Sequence, residues 1–218
     1  MRENFYLESL YPLQDEVLQV INAIGTEFYL TGGTALSRCF LNHRFSDDLD
    51  FFVNDSLSFK DASIKIEKEI DQKFDLEIQH SSEKFRRMMV RSNDVLLKLE
   101  FINDVPFHYG SIESSNIFNK VDNLINILSN KITAVLDRDE AKDFCDIFAI
   151  ANHLKEIDWR KLLVSASSKS AGIFAPLLAE RLFNFDFERL GQIKWNTNYD
   201  WKRLKHTKEE IVSRIIGL

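Results

Sequence analysis

A chain of 218 residues with a net charge of −6 and a pI near 5.4 is not coated in basic surface, so nucleic acid can meet it only at a local patch. The apolar share of 44%, with 18 Phe, can core one large domain or two small ones packed together. No apolar run approaches a membrane span, and Met1-Arg2-Glu3-Asn4 leads into no signal-peptide core, so a soluble, cytoplasmic protein is expected.

Seven Gly and three Pro leave few breakers, and long helices should follow. Apolar residues at helical spacing over 7–24 (Leu10, Leu13, Val17, Val20, Ile21, Ile24) predict a first helix that Gly25 ends. Phe28-Tyr29-Leu30 is a short strand running into Gly32-Gly33-Thr34. Ala35, Leu36, Cys39, Phe40 and Leu41 then read as a helix, and Asn42-His43-Arg44 as a polar loop. A strand is expected over about 48–53 and a helix over 58–73. Three strand-like segments come next: 76–79, 85–91 and 95–102, the last two joined by the Asn93-Asp94 turn. Residues 103–120 show no pattern. From Val121 the spacing is helical through Leu136, with Lys131 embedded, and a further helix begins near Lys142. Two more helical patterns lie within 154–183. The segment 189–208 holds Arg189, Lys194, Lys202, Arg203, Lys205 and Lys208 against the single acid Asp200, with Trp195, Tyr199 and Trp201 interleaved. Cys39 and Cys145 stand far apart inside apolar runs and read as buried free thiols.

The chemistry concentrates in two stretches. In 44–53 (Arg-Phe-Ser-Asp-Asp-Leu-Asp-Phe-Phe-Val), strand alternation turns Asp48 and Asp50 to one face and Leu49, Phe51 and Val53 to the other. Neighbouring carboxylates repel, and a hard divalent cation such as Mg²⁺ relieves that repulsion. Just upstream, Gly32 and Gly33 let backbone approach a ligand closely, and a helix starting there offers free N–H groups to a phosphate. Either feature alone is commonplace as a turn or a surface pair; a phosphate site followed by a metal-binding pair is what nucleotide chemistry requires. Glu100, between Leu99 and Phe101 on a strand with an apolar rear face, is placed to be a third acid. The alternative reading is an exposed strand residue paired with Lys98.

The run from Arg44 to Phe51, after the Gly-Gly-Thr turn, resembles the nucleotidyltransferase superfamily of DNA polymerase β. Within that superfamily it is most similar to the AbiEii/AbiGii-type toxin nucleotidyltransferases. The likeness returns at Lys142-Asp143-Phe144-Cys145-Asp146, which matches a basic-Asp-aromatic-x-Asp pattern, although the first position is more often Arg in the family. The resemblance implies an α/β (α+β) fold: a small mixed sheet with flanking helices over 1–110, then a helical domain over 121–218 that completes an active-site cleft. It implies transfer of NMP from an NTP to an acceptor hydroxyl with Mg²⁺ or Mn²⁺. Asp48, Asp50 and Glu100 would hold the metals. Gly32, Gly33 and the Thr34 hydroxyl would hold the triphosphate, and Lys131 would contact it. Asp143, and more loosely Asp146, would form a second polar cluster. The implied acceptor is RNA, at the tRNA end, and the implied partner is an antitoxin.

Other readings stand beside these. Lys131 can be a snorkelling surface lysine, Asp143 a helix N-terminal charge, and Asp146 a partner of Lys142 four residues back. Trp201, Lys202, Arg203 and Lys205 can touch RNA or belong to an amphipathic tail packed on the core. The acceptor can be a small molecule or a protein hydroxyl, and a scaffold that binds a nucleotide or partner without turnover is the non-enzymatic alternative.

Overall fold

The computed structural model describes residues 2–154, 156–197 and 200–217; Tyr199 therefore lies outside the described residues. The chain forms two compact units that interleave in sequence. The first comprises Met1–Cys39, Phe45–Pro106 and Ser111–Asp122, and the second Phe40–Arg44, Phe107–Gly110 and Asn123–Leu218. No helix among the described residues is long and apolar enough to cross a membrane.

The first unit carries a mixed five-stranded sheet. Its strands are β1 (Tyr29–Thr31), β2 (Leu49–Asn54), β3 (Asp75–Ser81), β4 (Phe85–Ser92) and β5 (Val95–Asp104), in the order β1-β2-β5-β4-β3. Within this sheet β2 pairs with β5 in parallel and the other neighbours are antiparallel. The helix read over 7–24 extends further back, through α1 (Arg2–Phe5), a π-wound turn Tyr6–Leu10 and α2 (Tyr11–Ile24). It ends as expected at Gly25, whose φ of 70° is left-handed. Helical winding begins directly at the glycine pair, as α3 (Gly32–Thr34) continuing into a π-wound Ala35–Leu41. The helix read over 58–73 is α4 (Phe59–Asp71).

Alternation in β2 and β5 buries Leu49, Phe51, Val53, Leu97, Leu99 and Phe101 on one face. Phe101 stacks on Phe51 at 5.0 Å and meets Phe28 edge-on at 5.1 Å. Fully burying each such ring contributes roughly 1.5–3 kcal/mol. Val17, Leu18, Ile21, Ile66 and Ile70 complete this core.

The second unit contains α5 (Leu124–Asp137), α6 (Ala141–His153), α7 (Trp159–Lys169), α8 (Ala175–Phe183), a 3₁₀ turn Phe187–Gln192 and α9 (Trp201–Ile216). The helix read from Val121 starts three residues later. Val121 bridges to Leu30, and Asn123 caps α5 by accepting from the Asn126 N–H. Asp200, the lone acid of the basic segment, caps α9 through the Lys202 and Arg203 N–H groups. The two cysteines differ: Cys145 is buried as expected, but Cys39 is only half-buried, with Sγ 3.4 Å from Ser115 Oγ.

Candidate active site: an acid row and a buried ion network

Register brings Asp50 and Glu100 side by side on β2 and β5, as in-register partners of a parallel pair. The row continues to Thr31 on one side and to Arg87 and His80 on the other, crossing all five strands. Asp48 sits one residue before β2 rather than inside it, a correction to the strand expected from 48. Its placement is set from elsewhere. The Tyr6 hydroxyl donates to Asp47, buried Gln14 donates to the Ser46 and Asp47 carbonyls at 3.2 and 3.3 Å, and the Thr34 hydroxyl donates to the Asp48 carbonyl. Thr34 is fully buried and its hydroxyl is taken by the Asp48 carbonyl, so the hydroxyl is not left open to the phosphate it was expected to hold.

Gly32 has a φ of +68°, and a Cβ built there would fall 2.2 Å from Asp50 Oδ2. The glycine is needed for its left-handed backbone and for the room it leaves the carboxylate. Gly32→Ala should therefore cost about 1–2 kcal/mol for the backbone alone and displace Asp50. Thermal unfolding should show the first, and a loss of transfer activity exceeding the stability loss should show the second.

The acids hold cations of the protein's own. Lys98 Nζ lies 2.9 Å from Asp48 Oδ2 and 3.5 Å from Glu100 Oε1. Burial would lower the Lys98 ammonium, but Asp48, Glu100 and Asp50 outweigh it and hold the pKa above its usual value. Among the described residues the oxygens of Asp48, Asp50 and Glu100 do not all come within 4.8 Å of one another. The donor set nonetheless fits a hard divalent cation. It consists of carboxylate oxygens on one sheet face, and the space between Asp48 and Glu100 already accepts a positive charge.

The residues expected to form a second cluster do gather, around partners the sequence did not suggest. Asp146 is fully buried and accepts from Arg44 through two parallel bonds of 2.7 Å, from His43 Nε2 at 2.9 Å, and from Lys131 Nζ at 2.8 Å. Lys131 also reaches Asp143 at 2.7 Å, and Arg138 closes on Asp143 Oδ2 at 2.7 Å. Lys142 is exposed, so it is not the partner of Asp146. Lys131 is neither a snorkelling surface lysine nor left open to phosphate: its side chain is 9% exposed and engaged by two carboxylates. Burial alone would raise Asp146, but Arg44 and Lys131 hold it well below the usual carboxylate range; Asp143 is lowered likewise, by Lys131 and Arg138. Burial lowers the His43 imidazole despite Asp146, and its buried Nδ1 has no hydrogen-bond partner among the described residues. His43, Cys145 and Asp146 place possible metal-ligand atoms within 4.8 Å of one another. Two cations already on Asp146, and a thiol that burial pushes up, make this a poor cation site.

A model of the family described as "Nucleotidyl transferase AbiEii toxin, Type IV TA system" matches residues 18–201. The chain belongs to the AbiEii family. It is a nucleotidyltransferase by that membership. The Aquifex aeolicus (strain VF5) protein aq_aa25, itself uncharacterized, is 30% identical over 161 residues, 66% of this chain and 70% of that one. JHP933 from Helicobacter pylori superposes with a TM-score of 0.59 at 22% identity, over 94% of this chain and 92% of that one. A second H. pylori structure, of a protein assigned as a nucleotidyltransferase, gives 0.60 at 21% identity, over 94% and 95%. At these identities the two structures speak for the fold alone. The AbiEii match spans both the acid row and the ion network.

What sequence reasoning missed is mainly Tyr6, Gln14, His43, Arg44 and Asp122. Asp122 is fully buried and accepts from the Thr31 hydroxyl at 2.6 Å. A polar residue inside an apolar helical stripe, as Gln14 is between Leu13 and Val17, was the available signal for at least one of them.

Proposed function

We propose that this chain transfers a nucleoside monophosphate from an NTP to a hydroxyl of RNA, at the acceptor end of tRNA, with Mg²⁺ or Mn²⁺. We also propose that it acts as the toxin of a toxin–antitoxin pair, restrained by a protein antitoxin. The observation that carries the chemistry is the in-register pair Asp50 and Glu100, with Asp48 adjacent and a helix starting at Gly32. Asp48, Asp50 and Glu100 would hold the ions, which when bound neutralise phosphate charge and favour the departure of pyrophosphate. The backbone at Gly32 and Gly33, where the helix starts, receives the triphosphate. Glu100 orients the acceptor hydroxyl, whose oxygen attacks the α-phosphorus in line and expels pyrophosphate. For Lys131, Asp143 and Asp146 we infer a bracing role within the second unit, because their charges are spent on one another.

RNA as acceptor is favoured by the α9 surface. Trp201, Lys202, Arg203 and Lys205 are exposed there, and Lys202 and Lys205 have no side-chain partner among the described residues. Trp201 meets Trp195 edge-on at 5.6 Å, while Trp195 donates to the Leu190 carbonyl at 3.0 Å. Part of the aromatic segment thus packs inward and part stays open to bases. Arg189 and Lys208 are occupied by Asp139 and by the Phe183 carbonyl. The test is incubation with each labelled NTP, Mg²⁺ and total RNA. Label should enter RNA, and Glu at Lys202, Arg203 and Lys205 together should reduce it by about tenfold or more at physiological salt. Label in a metabolite or protein, indifferent to those changes, would overturn the RNA assignment.

A further inference from the structure

Arg87 and Glu100 are register partners across β4 and β5. The usual Arg–carboxylate fork gives each oxygen its own nitrogen. Here Arg87 Nε, at 2.7 Å, and Nη2, at 2.6 Å, converge on the single oxygen Oε1. Lys98 approaches the same oxygen at 3.5 Å. Glu100 Oε2 has no partner among the described residues. The Glu100 side chain is 15% exposed and that of Arg87 41%, so the pair stands at the surface of the acid row with Glu100 the more enclosed. The guanidinium lies over the Phe85 ring at 5.4 Å, and that ring also meets His80 at 5.5 Å. Arg87 is therefore itself backed by packing.

We propose that Arg87 is a positioning residue: it holds Glu100 by Oε1, so that Oε2 remains available on the sheet face shared with Asp50. The inference rests on the reading of Asp48, Asp50 and Glu100 as cation-holding acids. A glutamate left alone samples several rotamers, and a charge-assisted hydrogen bond from Nε with a close ion contact from Nη2 removes that freedom before any ligand arrives. A lysine keeps the charge but cannot reproduce the convergence of two nitrogens on one oxygen.

The test uses the full chain with Arg87→Ala, Arg87→Lys, Glu100→Gln and the Arg87→Ala/Glu100→Gln pair. Mn²⁺ binding without nucleotide is read from the electron paramagnetic resonance signal of free Mn²⁺, and transfer is read as kcat and KM for NTP. Arg87→Ala should weaken Mn²⁺ binding by about 10-fold or more and lower kcat comparably with KM for NTP unchanged. Arg87→Lys, which keeps charge and bulk in case the alanine variant folds poorly, should recover little of either loss. In the Glu100→Gln background, Arg87→Ala should add nothing. Wild-type Mn²⁺ affinity in both Arg87 variants would overturn the proposal. So would an undiminished Arg87→Ala effect in the Glu100→Gln background, or a raised KM at constant kcat, which marks direct substrate contact. Wild-type protein that binds Mn²⁺ but labels no acceptor would sink the proposed function while leaving the Mn²⁺ comparison to decide on Arg87.

Discussion

Asp50→Asn is expected to lower nucleotide transfer by about a thousandfold while the protein stays folded. On the proposed function, the acid row would supply several kcal/mol of charge stabilisation, and ~4 kcal/mol corresponds to about three powers of ten in rate. The substitution keeps shape, so the carboxamide still fits against Gly32 where an added Cβ would not. It also relieves repulsion from Asp48 and Glu100, so thermal stability should fall little or rise. Transfer from labelled NTP, measured beside a melting curve, separates the two effects. An Asp50→Asn protein with wild-type turnover would remove the acid row from the mechanism.

The largest stability loss should come from Asp146→Ala. Arg44 and Lys131 would then be left in a buried site without the carboxylate that both contact. Removing one partner of such a network costs about 3–5 kcal/mol, because the stranded charges cannot return to water. Urea unfolding should register this as a lower midpoint. A change under about 1 kcal/mol would mean that the site opens to solvent.

Acidification tests the same network. Asp146 and Asp143 have lowered pKa values in the fold, so their contribution is complete above the unfolded carboxylate value of about 3.9 and is lost as pH falls through their folded values. His43 is lowered too, so the neutral ring's contribution is complete above about 6.5 and fades below it. Stability should therefore fall in two stages on the acid side, a shallow one from about pH 6.5 and a steeper one below about pH 4. Asp146→Ala should blunt the second.

Much of the fold was readable because it rests on near neighbours in the chain. Alternation of Leu97, Leu99 and Phe101 with Lys98 and Glu100 determines β5 and its buried face; Gly25 and the Asn93-Asp94 turn mark a helix end and a hairpin. The acids Asp48, Asp50 and Glu100, and the glycines before them, were legible for the same reason: each belongs to a short local pattern. Tertiary structure alone decided which charges meet. Arg44 and Asp146 are 102 residues apart in sequence, and a polar loop beside a helical acid gives no periodic signal of their bond. The Thr34 hydroxyl was claimed by the Asp48 carbonyl, and Lys131 by two carboxylates, because a buried polar group must take whatever partner the packing brings. Periodicity specifies which face of an element is buried; the partner of a buried charge depends on contacts made only after the elements have packed.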